Sequence, residues 1–148
     1  MLPNYICGVG RILAIDYGDR RCGLAVTDPL QIIASPLDTI DANEVLGYLK
    51  DYLEKENVDK IILGMPVDMN GSHTATTHKV LDFKEKLTST FPTKQIIEID
   101  ERLTSVMAKR TVVHSVKSKK KRRDKGLLDR VSAAIILESY LQRVKNNL

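Results

Sequence analysis

Residues 12–28 read ILAIDYGDRRCGLAVTD. Two apolar runs flank YGDRRCG, whose Gly and Asp favour a turn, so the stretch predicts an antiparallel hairpin. The first run carries a carboxylate, Asp16, where burial is costly unless the group is paired, hydrogen-bonded or metal-bound. A hydrogen bond to the following turn would give Asp16 a structural purpose, and a metal would give it a chemical one. Strand alternation with a possible bulge puts Asp16 on the side of Leu13 or of Ile15, and the sequence leaves the face open.

Outward from the hairpin, QIIASPLDTI predicts a third, shorter strand. Pro36 keeps it to a sheet edge or a strand end. From Glu44 to Asn57 the period changes: Val45, Leu49, Tyr52 and Leu53 recur at helical spacing, with Asp41 or Asn43 available as a cap. KIILGMP reads as a short buried strand, and Asn70-Gly71 as a turn. Residues 74–87 predict a helix burying Val80, Phe83 and Leu87, and KQIIEID a last strand. LTSVMAKRTVV predicts another helix, with Thr104 or Ser105 near its start, and Leu127–Val144 a long final one. Three strands followed by alternating helices and strands imply an α/β fold with a mixed sheet.

The 148 residues, 43% apolar and 28% charged, fit a single domain over 1–148 with a real core. No apolar run reaches membrane-spanning length, and MLPNYICGVG lacks a signal-peptide pattern, so a soluble cytoplasmic protein with no membrane partner is expected. The net charge of +4 is concentrated. Seven of the ten residues in VKSKKKRRDK are Lys or Arg, and Gly126 then interrupts the run. A flexible, exposed basic loop at about 116–126 follows, suited to solvation or to a phosphate backbone. Cys7 and Cys22 show neither metal-site nor redox spacing, and Cys22 reads as a small core side chain. His73 and His78 lie five apart and make a poor metal pair. Two Phe and no Trp give little signal for base stacking, and Tyr17 reads as turn or core packing.

Asp100 and Glu101 end another apolar strand, and adjacent residues in extended chain point apart. Glu101 is expected inward, and Glu98 outward or bracing. In the final helix Asp129 shares a face with Ala133, Ile136 and Tyr140, near the positive helix end, which by itself favours a carboxylate. Asp16, Glu101 and Asp129 together would suit Mg²⁺ or Mn²⁺. Acids for a metal and a basic run for a polymer suggest a phosphodiesterase.

ILAIDYGDRRCGLAVTD, IILGMPVDMNG, IDERLTSVMA and LLDRVSAAIILESYL, in this order, resemble the YqgF family, also called RuvX-like, pre-16S rRNA nuclease or Holliday junction resolvase-like. The resemblance covers about 11–141. It implies an RNase H-like domain, a five-stranded mixed sheet flanked by helices. It also implies a divalent-metal-dependent nuclease whose catalytic and metal-holding acids are Asp16, Glu101 and Asp129. The implied substrate is precursor 16S rRNA, with cleavage in its 5′-end processing. The alternatives are branched DNA, as in a junction resolvase, or a non-catalytic ribosome- or nucleic-acid-binding factor. Monomer and homodimer both remain open.

Nucleic-acid contacts implied by the resemblance fall to Gly18, Arg21, Asn70, Gly71, Arg102, Lys120, Lys121 and Arg122. Arg21 would meet phosphate or fix Asp16, Arg102 would orient Glu101 or meet phosphate, and Thr104 would cap its helix. One departure stands out. RuvC-type resolvases place an acid near the end of the fourth strand, where this chain reads Leu63, Gly64, Met65 and Pro66. Glu101 on the neighbouring strand would replace it, which weakens the junction reading and leaves RNA processing at least as plausible.

Overall fold

A computed structural model describes residues 10–66, 70, 73–101 and 124–147. The hairpin forms as its turn chemistry dictates, from β1 (Arg11–Tyr17) and β2 (Arg21–Thr27). The Gly18 N–H donates to the Arg21 carbonyl at 3.0 Å. A Cβ on Gly18 would stand 2.6 Å from that oxygen, so the turn needs glycine. β3 (Ala34–Asp41) completes an antiparallel meander, and β4 (Val58–Met65) and β5 (Gln95–Asp100) add in parallel on the other side of β1. The sheet order is β3-β2-β1-β4-β5. Pro36 therefore sits on an edge strand, beside a register shift between Leu24 and Ala25.

Helices cover both faces. On one, Leu13, Ile15, Leu24 and Leu63 meet Leu49 of α1 (Val45–Lys55) and Phe83 and Leu87 of α2 (Ala75–Thr90). On the other, Ile12, Ala14, Ala25 and Ile62 meet Ala133, Ile136 and Tyr140 of α3 (Lys125–Asn146). Ile136 and Leu137 are fully buried. Each such side chain stabilises by about 1.5–3 kcal/mol, more than the ~1 kcal/mol of the Asp124 cap, so packing fixes α3. The buried face of α3 is the one that carries Asp129 in the helical reading.

Three expectations need correction. Asp16 lies on the face of Ile12 and Ala14, because β1 alternates without a bulge at that end, and not with Leu13 or Ile15. Neither Asp41 nor Asn43 caps α1; the N-cap position is Glu44 without a side-chain bond, and Asp41 instead closes a turn onto the Asn43 N–H. α3 begins inside the basic run at Lys125, with Gly126 in its first turn. The expected helix across 103–113, Cys7 and most of the basic loop lie outside the described residues.

Candidate active site

Asp16 stands near the end of the central strand, between two glycines. Across the antiparallel pair it faces Gly23. On the parallel side Ile15 pairs with Leu63, so Gly64 lies alongside Asp16. A Cβ on Gly23 would fall 1.9 Å from the Asp129 carbonyl oxygen. A Cβ on Gly64 would fall 2.4 Å from Oε2 of Glu101 and 2.7 Å from Cδ1 of Ile136. One glycine thus admits the α3 backbone that carries Asp129, and the other admits the Glu101 carboxylate. Glu101 follows β5 directly, and its N–H extends the ladder to the Met65 carbonyl at 3.3 Å. Its neighbour Asp100 stays exposed, and Glu98 turns outward to Lys84 at 2.6 Å, as the sequence indicated.

Glu101 fills the space that a side chain at Gly64 would take.

The carboxyls of Asp16 and Glu101 are hydrogen-bonded, which requires a shared proton. Burial pushes Asp16 up to about 6, offset in part by the Glu101 hydrogen bond and reinforced by the Asp129 charge. Burial, then the Asp16 charge and hydrogen bond, push Glu101 up to about 9. Both anions are therefore destabilised, and the proton they share relieves the contact. Between the ordinary carboxylate range and about pH 9 the folded chain keeps a proton that the unfolded chain has released. Without metal, stability must then fall as pH rises, by about 1.4 kcal/mol per pH unit while one proton separates the two states. Melts in EDTA from about pH 5 to about pH 9 should show a falling Tm, with a flatter profile in Glu101→Gln. A wild-type Tm that rises over this window would contradict the shared proton.

Asp129 is held differently. Arg21 Nε donates to its Oδ2 at 2.8 Å, so Arg21 fixes Asp129 and not Asp16. The reason is the hairpin: Arg21 opens β2, the strand on which α3 lies. Thr39 on β3 bonds the Gly126 carbonyl and accepts from Arg130 at 3.2 Å, completing the dock. Asn70 occupies an exposed turn after β4. Pro66, directly after β4, is tied to α2, where Thr77 donates to its carbonyl and shares a capping box with Thr74. Gly71, Arg102, Thr104, Lys120, Lys121 and Arg122 lie outside the described residues. Tyr17 stacks on Phe83 at 4.3 Å, as core packing predicts. Burial pushes the Cys22 thiol up to about 12, so it is no nucleophile at neutral pH.

A family model described as RuvX, Holliday junction resolvase, matches residues 10–143. The chain belongs to the RuvX family. A protein of Amoebophilus asiaticus named "Putative pre-16S rRNA nuclease" is 48% identical over 139 residues, covering 94% of this chain and 99% of its own length. A Porphyromonas gingivalis protein of the same name is 49% identical over 133 residues, covering 90% and 96%. Among solved structures, Thermus thermophilus RuvC in complex with a Holliday junction substrate matches with a TM-score of 0.55 at 13% identity. That match covers 91% of this chain and 96% of RuvC, and with the sheet order it establishes the RNase H-like fold of this RuvX-family chain.

Among the described residues, no three His, Cys, Asp or Glu side chains already converge as a metal cage. The donor set nonetheless fits a hard divalent ion. Asp16 and Glu101 offer largely buried oxygens whose ionisation burial opposes, and Asp129 stands close enough to raise Asp16. Gly23 and Gly64 are the positions that the sequence reading passed over. Their signal was present, since a glycine inside a strand marks a close approach.

Proposed function

We propose that this chain is a divalent-metal-dependent nuclease acting in 5′-end processing of precursor 16S rRNA. The observation that carries the reading is the placement of Glu101 over Gly64, hydrogen-bonded to Asp16. That pairing is costly for the metal-free fold, because burial raises both carboxyls and the Asp16 charge raises Glu101 further. Asp16 and Glu101 would hold Mg²⁺ or Mn²⁺, with Asp129 as the third acid once the ion competes with Arg21. Such an ion supplies water activation and charge neutralisation at phosphorus. Arg21, partly exposed beside Asp129, then turns to a substrate phosphate, and the basic segment holds the backbone farther along. The substrate assignment rests on the names of the two relatives.

The family description supports a second reading, cleavage of four-way DNA junctions. A 5′-extended pre-16S rRNA fragment and a mobile junction, incubated side by side with Mn²⁺, separate the two. The expected result is metal-dependent trimming of the RNA with discrete ends, abolished by EDTA. Paired symmetric nicks in the junction with intact RNA would reverse the assignment.

A further inference from the structure

The large aliphatic side chains exposed among the described residues gather at one end of the molecule. Leu30, Ile32 and Ile33, 69%, 66% and 64% exposed, stand between β2 and β3, and Val144, 42% exposed, stands near the end of α3. Between them runs a groove of about 620 Å³, lined by Ile32, Ile33, Tyr140, Leu141 and Val144 among others. It lies at the pole opposite the acids: Ile12, which opens onto it, is four residues before Asp16 on β1.

The loop bearing Leu30, Ile32 and Ile33 is built to hold this exposure. The Asp28 carboxylate accepts from the backbone N–H groups of Leu30, Ile32 and Ile33 at 3.1, 2.9 and 2.7 Å. Gln31 adopts φ 59°, a left-handed conformation unfavourable for a non-glycine residue. Its amide is anchored to the Gly10 carbonyl at 2.6 Å and to Asp59 at 3.1 Å. A loop fixed so firmly, with its aliphatic side chains in water, is a preorganised contact surface.

We propose that this surface receives a second copy of the same chain. The charge pattern on α3 selects that occupant. Glu138, Leu141 and Lys145 line the groove at i, i+3 and i+7, so an acid and a base flank an apolar residue along one stripe. A two-fold axis passing beside Leu141 lays two α3 helices antiparallel. Glu138 then meets Lys145 of the partner subunit, and the reciprocal pair forms by symmetry. The same axis sets the projecting loop of each copy against the groove of the other, so knob and hole on one patch are satisfied together. Asp129 lies twelve residues before Leu141, so the two acid sites end roughly 38 Å apart along the helices, each facing outward.

Light scattering on the full chain at about 100 µM tests this, with a mass twice the 16.6 kDa of one chain expected. Ile33→Glu should yield a monomer with the wild-type circular-dichroism spectrum and a Tm that no longer depends on protein concentration. E138K and K145E should each weaken association at least about tenfold, and E138K/K145E in one chain should restore it. Failure of the double variant to recover, or a dimer indifferent to Ile33→Glu, overturns the interface. A wild-type chain that stays monomeric overturns the second-copy assignment and leaves the face to a different protein.

Discussion

Asp16→Asn is expected to lower metal-dependent cleavage about 10³-fold, equivalent to about 4 kcal/mol of lost transition-state stabilisation. The substitution keeps the shape and hydrogen-bonding reach of the side chain and removes only its charge. Burial and the Asp129 charge oppose ionisation of Asp16, and its own charge in turn raises Glu101. An arrangement so poor for the metal-free fold predicts opposite effects on stability and on activity. Without metal, Asp16→Asn should melt at or above the wild-type temperature near neutral pH, because a buried charge has gone. With Mn²⁺, the wild type should gain thermal stability and the variant should gain much less. A fold that loses stability together with activity would make Asp16 a structural residue. Cleavage within about tenfold of wild type would move the protein toward a binding role.

The hairpin was legible because its turn is coded locally: Gly18, two residues past Asp16, closes onto Arg21. Pro36 located an edge strand for an equally local reason, its missing N–H. The acid-bearing face of α3 followed from helical periodicity, which Ala133, Ile136 and Tyr140 obey. What could not be read depends on pairs of residues far apart in the chain. Whether Arg21 reaches Asp16 or Asp129 is settled by how α3 lies on β2, 108 residues away. The exposure of Leu30, Ile32 and Ile33 was hidden because QII resembles any strand start. Only the Asp28 and Gln31 bonds turn it outward.

Exchange of an acid between strands becomes physically simple in this geometry. A side chain leaving β4 at position 64 and one arriving from position 101 compete for the same volume over Asp16. With glycine at 64, a carboxylate can be supplied from the next strand without moving the sheet.

Among the described glycines, Gly23→Ala should be the most damaging addition of a methyl group. Its Cβ would lie 1.9 Å from the Asp129 carbonyl oxygen and 3.0 Å from the Arg130 nitrogen, both backbone atoms of a helix docked along β2. A flexible side chain could swing aside, but a helix backbone can yield only by lifting α3, which unpacks Ile136 and Leu137 together. A cost of at least about 3 kcal/mol is expected, or roughly 10 °C in Tm. Gly47→Ala is the matching control. That position is inside α1 with nothing within 4 Å of the new methyl, so alanine should stabilise by about 0.5–1 kcal/mol through helix propensity. In whatever Gly23→Ala remains folded, Asp129 is carried away from Asp16 and Arg21, so cleavage should fall further than the folded fraction accounts for. Chemical denaturation of both variants, with activity normalised to the folded fraction, reads the two effects separately. If Gly23→Ala matches wild type in both, α3 does not lie against β2 as closely as the placement of the third acid requires.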